Sequence, residues 1–300
     1  MREVCGIIVT YNRKELLIRN INSILGQSYP IDLLIYDNAS SDGTYEFLKE
    51  KIRMDETIHY VRSEKNTGGS GGFNASLKIA FDMGYKWFLL MDDDGYAYNK
   101  ETIRELMNVA NNYWGKSVII NSLVVCDHKK TLTFELDGIK YYDEAIETAS
   151  QNVINDVFSP FNGTLCSREC VSEIGFPRKE YFVYGDEIEY GCRARKRGIP
   201  ILTAVKSVYF HPDVLDAKKI YLFSKRIDIF RKEPLWKSYC ATRNYVCTYS
   251  EYYSCIKVFK YILKRIYIAL HYKDRMSRLK YTLIGAKDGL QQNFSRKVPF

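Results

Sequence analysis

Val4-Cys5-Gly6-Ile7-Ile8-Val9-Thr10-Tyr11-Asn12-Arg13 is the segment on which the predicted architecture of this chain depends. Its first part, Val4–Val9, is continuously apolar, which is typical of a buried strand, and the polar residues after it predict a loop. Apolar residues then recur at helical spacing. They are Leu16, Leu17, Ile21, Ile24 and Leu25. The N-terminus is therefore predicted to form a strand, a loop and a helix, in that order.

The same pattern repeats along the N-terminal part of the chain. The further predicted elements are a strand at Leu33–Tyr36, a helix at Tyr45–Ile52, a strand at Ile58–Val61, a glycine-rich loop at Asn66–Gly72 leading into a helix that ends near Met83, and a strand at Trp87–Met91. Strands that alternate with helices favour an α/β fold with a Rossmann-like, nucleotide-binding, mostly parallel sheet that helices cover on both faces.

The alternation weakens after Val118–Ile120. Thr131–Leu136 and Phe158–Leu165 are predicted as strands of a mixed extension to the sheet. Glu187–Lys196 is predicted as a helix, because it begins with acidic residues and ends with basic ones before Gly198.

Polar segments follow the predicted strands of the parallel part. They are Thr10–Arg13, Asp37-Asn38, Asn66–Gly72 and Asp92–Asp94. Ligands of open parallel sheets bind beyond the carboxyl ends of the strands. We therefore expect these segments to line one crevice.

Phe88-Leu89-Leu90-Met91 followed by Asp92-Asp93-Asp94 places three carboxylates at the mouth of a buried strand. Their mutual repulsion is costly unless a cation lies among them. Alternate residues of an extended segment share a face, so Asp92 and Asp94 form the natural pair. A Mg²⁺ or Mn²⁺ ion that also binds a diphosphate would explain the arrangement, and a solvated acidic turn is the alternative.

Thr67–Gly72 is rich in glycine and precedes a predicted helix. Glycines let the backbone approach a ligand closely, and amide groups at the start of a helix favour phosphate. A flexible loop is the alternative explanation. The segment matches neither the Walker pattern nor the dinucleotide fingerprint.

Acidic residues also stand at the start of the predicted helix that ends in basic residues, at Asp186, Glu187 and Glu189. Either they cap the helix, or one of them is a general base that accepts the proton of an acceptor hydroxyl. His211 follows the apolar run Ser207–Phe210. This histidine is either a packed side chain or a further ligand of a mixed metal site.

Six separated motifs together resemble those of the family 2 inverting glycosyltransferases with the A-type fold, in the family's order and at about its spacings. The motifs are Val9–Arg13, Tyr36–Thr44, Asn66–Gly69, Asp92–Asp94, Gly185–Gly191 and His211. The resemblance covers roughly residues 3–215. The double-glycine segment Asn66–Phe73 and the triple aspartate are most similar to bacterial galactofuranosyltransferases, with rhamnosyltransferases next.

The resemblance implies roles for individual residues. Those implied to contact a nucleotide-sugar donor are Thr10, Tyr11, Asn12, Arg13, Asp37, Asn66, Gly69, Asp92 and Asp93. The implied metal ligands are Asp92, Asp94 and His211. Glu187 takes the position of the catalytic base, but many relatives have Asp there, so Asp186 stays as the alternative. Phe161–Thr164 resembles the acceptor-side loop.

The implied function is that of a metal-dependent inverting glycosyltransferase that uses a Mn or Mg ion. UDP-galactofuranose is the favoured donor and dTDP-rhamnose the alternative, and the expected acceptor is a glycan or a lipid-linked molecule in bacterial cell-surface polysaccharide synthesis. A nucleotidyltransferase also uses a glycine-rich loop and paired aspartates, but it would need an early glycine-rich loop that Thr10–Arg13 lacks. A non-catalytic assembly subunit would not need the intact set Asp92, Asp94 and Glu187.

The formal charge of +8 is unevenly distributed along the chain. Residues 215–300 carry 19 Lys and Arg against 6 Asp and Glu, a net +13, which leaves −5 for residues 1–214. We therefore predict a catalytic domain at residues 1–215 and a basic, helical C-terminal region at residues 216–300 that has a different partner.

Ile256–Leu270 is predicted to form an amphipathic basic helix. Its apolar residues at helical spacing are Ile256, Phe259, Leu263, Ile266 and Leu270, and its flanking basic residues are Lys257, Lys260, Lys264 and Arg265. Such a helix either binds an anionic membrane surface, where a lipid-linked acceptor would be met, or packs on the catalytic domain or on another subunit of a homo-oligomer. No nucleic acid is expected as a partner, because no recognised binding motif accompanies the charge.

The N-terminus shows neither a signal peptide nor a long apolar stretch, so we expect a cytoplasmic protein, peripheral at the inner membrane face. The eight cysteines lack zinc-site spacing and are predicted to be reduced thiols.

Overall fold

The computed structural model of the chain describes residues 2–127, 130–136, 138–155, 161–213, 217–222, 225–230 and 233–296. The chain divides into two compact units. The first consists of Met1–Lys179 and Arg193–Asp213, and the second of Glu180–Cys192 and Val214–Phe300. The short segment Glu180–Cys192 thus groups with the C-terminal region.

The first unit contains a large sheet and the helices that cover it. Its strands are β1 (Val4–Thr10), β2 (Asp32–Asp37), β3 (Ile58–Arg62), β4 (Trp87–Asp92), β5 (Tyr96–Ala97), β6 (Ile119–Val125), β7 (Thr131–Leu136), β8 (Ile139–Tyr141), β9 (Val153–Asn155), β10 (Asn162–Ser167) and β11 (Ile201–Phe210). Its helices are α1 (Lys14–Leu25), α2 (Thr44–Met54), α3 (Gly68–Asp82), α4 (Thr102–Ala110), α5 (Tyr142–Thr148) and α6 (Arg168–Ile174). A further helix, α7 (Asp186–Lys196), begins in the second unit and ends in the first.

The main strand order of this sheet is β3-β2-β1-β4-β10-β6-β11-β5. The strands β3, β2, β1 and β4 are parallel to one another, as the alternation of strands and helices predicts. The strand β10 then runs antiparallel to β4 and β6, whereas β11 runs parallel to β6. The expected Rossmann-like half with a mixed extension is therefore confirmed.

The central strands lie within the sheet core because their side chains are apolar on both faces. All seven residues of β1 are buried, and so are Trp87–Met91 of β4. Helix α1 packs Leu17, Ile21 and Ile24 against this core, each of them at most 3% exposed. Burying one such side chain contributes about 1.5–3 kcal/mol. This packing holds the polar ends of β1 and β4 in fixed positions at one edge of the sheet.

Two of the predicted boundaries differ from the structure by at least four residues. The glycine-rich segment is not a loop as far as Gly72, because α3 already begins at Gly68. The strand predicted at Phe158–Leu165 is β10, which starts at Asn162 and extends to Ser167. Residues 158–160 of that prediction lie outside the described residues.

The second unit combines a hairpin with helices. The hairpin pairs β12 (Ala217–Leu222) with β13 (Lys225–Phe230), and the helices are α8 (Leu235–Tyr252), α9 (Cys255–Leu270) and α10 (Arg275–Leu290). The predicted amphipathic helix corresponds to α9. Glycines allow α10 to approach α8 closely, since a Cβ at Gly289 would collide with the carbonyl oxygen of Arg243. Among the helices of the described ranges, none is long and apolar enough to cross a membrane.

All eight cysteines lie within the described ranges, and all are free thiols, as the sequence predicts.

Candidate active site

The end of strand β4 carries the acidic cluster. The carboxyl group of Asp92 accepts a hydrogen bond from Asn162 Nδ2 at 3.2 Å, and the carbonyl of Asp92 accepts one from Asn20 Nδ2 at 2.8 Å. The carbonyl of Asp94 accepts a hydrogen bond from Arg19 Nη2 at 3.1 Å. Helix α1 therefore fixes the backbone of the cluster, and Asn162 of β10 fixes the carboxyl group of Asp92.

Asp92 and Asp94 come together with His211, which follows the last residue of β11. Each of the three residues offers one ligand atom, and these atoms lie within 4.8 Å of one another. The backbone of His211 is anchored, since its N–H donates to Val125 O at 3.0 Å and its carbonyl accepts from Thr133 Oγ1 at 3.0 Å. Asp92 and Asp94 thus lie together, as the alternation of side chains along a strand predicts.

This donor set suits a divalent cation. Two carboxylates and one imidazole form a mixed oxygen and nitrogen set of the kind that Mn²⁺ accepts. Oδ1 of Asp94 lies 3.4 Å from Nε2 of His211. That oxygen and Nδ1 of His211 are both buried without a hydrogen-bond partner among the described residues, a costly state that a bound cation would relieve at Asp94.

Charge at Asp94 is favoured by its neighbours. Burial would raise the pKa of Asp94, but His211 and Arg13 outweigh burial, so the pKa lies below its ordinary value. Burial would likewise lower the pKa of His211, but the carboxylate of Asp94 keeps it raised. Asp94 is therefore ionised at neutral pH, as a metal ligand must be.

The middle aspartate, Asp93, makes different contacts. It is only 5% exposed, and it accepts hydrogen bonds from Thr10 Oγ1 at 2.9 Å and from Arg13 Nη1 at 3.1 Å. The same Arg13 nitrogen lies 2.7 Å from Oδ2 of Asp94. Burial raises the pKa of Asp93, and Arg13 opposes that rise. Arg13 therefore bridges the two carboxylates and offsets part of their repulsion.

The loop after β2 joins the loop after β1. The backbone N–H of Asn12 donates to Ser40 Oγ at 2.9 Å, and Oδ1 of Asn12 accepts from the N–H of Ser41 at 2.7 Å. Asn12 adopts a φ of 53°, in the left-handed region that asparagine tolerates better than most residues. The two loops consequently form one wall.

Asp37, at the end of β2, is fully buried, and both of its oxygens contact protein groups. Oδ1 accepts from the N–H of Ser40 at 2.7 Å, and Oδ2 accepts from Tyr60 Oη at 2.5 Å. Arg62 Nε lies 3.8 Å from Oδ2. In the structure these contacts of Asp37 hold the loop that follows β2, and its implied contact with the donor stays a prediction.

Asn38 connects that loop to the start of α3. Its Nδ2 donates to Asn66 Oδ1 at 3.1 Å and to Gly68 O at 2.9 Å, while its Oδ1 accepts from the N–H of Thr67 at 2.9 Å. Together with the contacts of Asn12 and Arg13, these bonds bring the four predicted strand-end segments to one edge of the sheet.

The glycines at the start of α3 have different structural reasons. Gly68 has a φ of 74°, and a Cβ at Gly71 or Gly72 would overlap Thr67 or Val9. Gly69 is exposed, and an ideal Cβ there would meet nothing within 4 Å. Backbone conformation explains Gly68 and packing explains Gly71 and Gly72, whereas the space beside Gly69 is open.

The candidate base residues belong to the second unit. Asp186 is the first residue of α7 and is only 6% exposed, whereas Glu187 is partly exposed. Burial raises the pKa of Tyr245 well above its ordinary value, and the carboxylates of Glu187 and Asp186 raise it further. Tyr245 on α8 therefore lies near enough to both carboxylates for their charges to affect its pKa.

Asn20 contacts the acidic cluster, and the sequence patterns did not predict a role for it. It is fully buried on α1 and donates from Nδ2 to Tyr209 Oη at 3.2 Å as well as to Asp92 O. Its position in the sequence could have identified it, because Asn20 lies next to Ile21 on the apolar stripe of α1 and an amide that is buried there needs polar partners.

An α/β sheet whose acidic strand end meets a histidine beyond the parallel strands is the arrangement that the family resemblance predicts for a glycosyltransferase of the A-type fold. The chain belongs to glycosyl transferase family 2, whose family model matches residues 5–168.

Known proteins of this kind resemble the chain over most of its length. It is 30% identical over 218 residues to the galactofuranosyltransferase GlfT1 of Mycolicibacterium smegmatis, covering 70% of each protein, and equally similar to GlfT1 of Mycobacterium tuberculosis. It is 26% identical over 199 residues to the low-salt glycan biosynthesis hexosyltransferase Agl10 of Haloferax volcanii, covering 65% of this chain and 62% of that one.

Solved structures support the same fold. GalNAc-T7, solved with UDP, GalNAc and Mn²⁺, has a TM-score of 0.63 at 13% identity, and the match covers 96% of this chain but only 56% of that one. The mannosyltransferase PcManGT of Pyrobaculum calidifontis, solved with GDP-Man and Mn²⁺, has a TM-score of 0.54 at 15% identity, covering 94% and 73%. At these identities the likeness concerns the fold.

Proposed function

We propose that this glycosyltransferase is metal-dependent and inverting, and that it transfers galactofuranose from UDP-galactofuranose to a glycan or lipid-linked acceptor in bacterial cell-surface polysaccharide synthesis. The observation that carries the proposal is the convergence of Asp92, Asp94 and His211 at the carboxyl ends of the strands. The similarity to two mycobacterial galactofuranosyltransferases supports the choice of sugar.

Asp92, Asp94 and His211 would hold a Mn or Mg ion. When bound, such an ion neutralises the charge that develops on the departing diphosphate. Asn162 and Asn20 keep Asp92 in place through hydrogen bonds to its carboxylate and its carbonyl. Preorganised ligands of this kind need no rearrangement when the donor arrives.

The donor would lie along the edge formed by the four strand-end segments. The nucleotide pocket would be lined by Thr10, Tyr11, Asn12 and Arg13. Asp37 would contact the nucleobase or the ribose, and its carboxylate also supports the loop to Ser40. Asn66 and Gly69 would border the donor at the start of α3, where helix amides favour phosphate. Asp92 would meet the donor through the metal, and Asp93 would face its ribose or sugar.

Glu187 would act as the base, with Asp186 as the alternative. The carboxylate accepts the proton of the acceptor hydroxyl while that oxygen bonds to the anomeric carbon and the bond to the nucleotide diphosphate breaks, so the configuration inverts. The partial exposure of Glu187 supports the choice, because Asp186 is buried and a base must reach a hydroxyl within hydrogen-bond distance.

Because the space beside Gly69 is open, we predict that a side chain added there has opposite effects on stability and on donor binding. Gly69→Ala should stabilise the protein by about 0.5–1 kcal/mol, since alanine favours a helix, yet weaken donor binding about tenfold, because the new methyl group occupies ligand space. Thermal unfolding and the donor KM measure the two effects. As the matched variant, Gly72→Ala should lower stability, because its Cβ would collide with Val9. An unchanged donor KM in Gly69→Ala would remove Gly69 from the donor site.

Residues 216–300 would place the catalytic domain, residues 1–215, at the inner face of the membrane as a peripheral cytoplasmic protein. The predicted apolar stripe of α9 is largely exposed: Ile256 is 62%, Phe259 61%, Leu263 48% and Leu270 49% exposed. Exposed lysines, Lys260 and Lys264, accompany it.

Helix α10 repeats the combination, with exposed Met276, Leu283 and Leu290 next to exposed Lys280 and Lys287. Apolar side chains flanked by lysines suit an anionic lipid surface.

The double variant Lys260→Glu/Lys264→Glu should bind anionic vesicles at least about thirtyfold more weakly than the unchanged protein, because each basic residue near such a surface contributes about 1 kcal/mol. Vesicle co-sedimentation measures the change. The control Lys49→Glu/Lys100→Glu makes the same charge change at exposed lysines of the first unit and should bind normally. Equal losses in the two variants would show that overall charge, not this surface, drives the binding.

The function is tested by offering UDP-, dTDP- and GDP-sugars with Mn²⁺ and a glycan acceptor, and by determining the anomeric configuration of the product by NMR. We expect transfer from UDP-galactofuranose with inversion. Transfer from dTDP-rhamnose alone would contradict the sugar, a retained configuration would contradict the mechanism, and pyrophosphate release from a nucleoside triphosphate and a sugar phosphate would indicate a nucleotidyltransferase.

A further inference from the structure

The segment before α7 has an unusual backbone. Phe182, Tyr184 and Gly185 have φ values of 67°, 65° and 86°, all in the left-handed region, and Asp186 follows directly as the first residue of the helix. Non-glycine residues in this region are strained and persist only where surrounding structure holds them. Phe182 and Tyr184 therefore need an external restraint.

Asn244 on α8 supplies hydrogen bonds to this segment. Its Nδ2 donates to the carbonyls of Tyr181, Val183 and Tyr184, at 2.9, 2.9 and 2.8 Å. The Asn244 side chain is fully buried, so water does not compete with these bonds. One amide thus binds the carbonyls on either side of Phe182 and the carbonyl just before Gly185.

Arg243, the neighbouring residue, fixes the orientation of that amide. Its Nε donates to Asn244 Oδ1 at 2.9 Å, which leaves Nδ2 directed at the carbonyls. Its Nη2 also donates to the carbonyls of Glu180 and Tyr181, at 3.1 and 3.0 Å. The guanidinium is only 2% exposed and lies over the rings of Tyr239 and Phe294. Because several contacts hold this buried guanidinium, it keeps the Asn244 amide in a fixed orientation.

Gly185 also lies next to Asn244 and Tyr245 of α8. A Cβ built at Gly185 would lie 3.5 Å from Asn244 Cβ and 3.6 Å from the ring of Tyr245. The φ of Gly185 favours glycine in addition. The residue that immediately precedes Asp186 therefore lies beside side chains of α8, in a backbone conformation that favours glycine.

We propose that Asn244, oriented by Arg243, is a positioning residue that sets the direction in which the first turn of α7 presents its carboxylates to the acceptor hydroxyl. The inference rests on the proposed role of Glu187, or of Asp186, as the base. The pair acts on that base through the backbone of residues 180–185. Loss of the restraint would let the turn move, and a displacement of about 1 Å at a reacting group costs about 10²-fold in rate.

The test compares Asn244→Ala with the unchanged protein in steady-state transfer and in amide hydrogen exchange. We expect kcat to fall about 10²-fold, the donor KM to stay the same, and the amides of residues 182–187 to exchange faster. Arg243→Lys keeps the charge but lacks the planar fork, so it should show the same changes more weakly, and it serves if Asn244→Ala does not fold.

Tyr239→Phe is the matched control. It removes a hydrogen bond from the same helix, that of Tyr239 Oη to Asp288 at 2.8 Å, and keeps the ring beside Arg243. We expect its kcat and its exchange at residues 182–187 to be unchanged. Equal falls of kcat in Tyr239→Phe and Asn244→Ala would overturn the inference, because they would reflect general loosening of the unit.

Glu187→Gln and Asp186→Asn, measured in parallel, separate this inference from the function on which it rests. Wild-type kcat in both carboxylate variants would refute the proposed base. Loss of transfer in one of them, together with full kcat in Asn244→Ala despite faster exchange, would refute the positioning role alone.

Discussion

Asp94→Ala is expected to lose transfer activity by about a thousandfold or more. Asp94 is ionised and partly buried, and its carboxylate lies beside both His211 and Arg13. Removing it leaves too few ligands for a divalent ion, and the stabilisation of charge on a leaving phosphate that such an ion contributes is worth several kcal/mol. Initial rates with saturating Mn²⁺ measure the effect.

Asp82→Ala is the matched control for that variant, because it also removes one aspartate but from the exposed surface of α3. It should transfer at the normal rate. Normal transfer by Asp94→Ala would be incompatible with metal binding at this cluster.

Glu187→Gln is expected to lower kcat by about 10²–10⁴-fold, because the amide has nearly the shape of the carboxylate but cannot accept a proton. Donor binding should be unchanged, since Thr10–Arg13 and Asp92–Asp94 are intact. Pre-steady-state or steady-state kinetics at saturating donor separate the two quantities.

Asp186→Asn should retain more activity than Glu187→Gln, because Asp186 is 6% exposed and begins the helix rather than facing solvent. The reverse order of activities would assign the base to Asp186. Full activity in both variants would mean that neither carboxylate accepts the proton.

Local patterns in the sequence predicted much of the parallel half of the fold. The apolar runs of β1 and β4 are long enough to be buried on both faces, and the polar residues at their ends could be assigned to one edge because parallel strands share that edge. The pairing of Asp92 with Asp94 followed from strand alternation. The contribution of His211 rested on family resemblance, since nothing local brings a residue after β11 to the end of β4.

Tertiary contacts determine the features that sequence patterns did not predict. Helix α3 begins at Gly68 although glycine disfavours helices. Its Gly72 lies so close to Val9 that a Cβ would collide, a contact that local propensity does not report. The strands β12 and β13 were not predicted, because charged and apolar residues alternate only partly along them.

The grouping of residues 180–192 with the C-terminal region also depends on long-range contacts. The hydrogen bonds of Arg243 and Asn244 join segments far apart in the chain, and no periodicity reports such bonds.

The most direct measurement is the thermal stability of the protein with UDP in the presence of either Mn²⁺ or a chelator, for the unchanged chain and for Asp94→Asn. A ligand that binds only the folded state stabilises it more, the further its concentration exceeds its Kd. UDP should therefore raise the Tm strongly with Mn²⁺ and little with the chelator, and Asp94→Asn should lose that difference. Equal UDP shifts with and without the metal in the unchanged chain would contradict a divalent ion at Asp92, Asp94 and His211 that binds the donor's diphosphate.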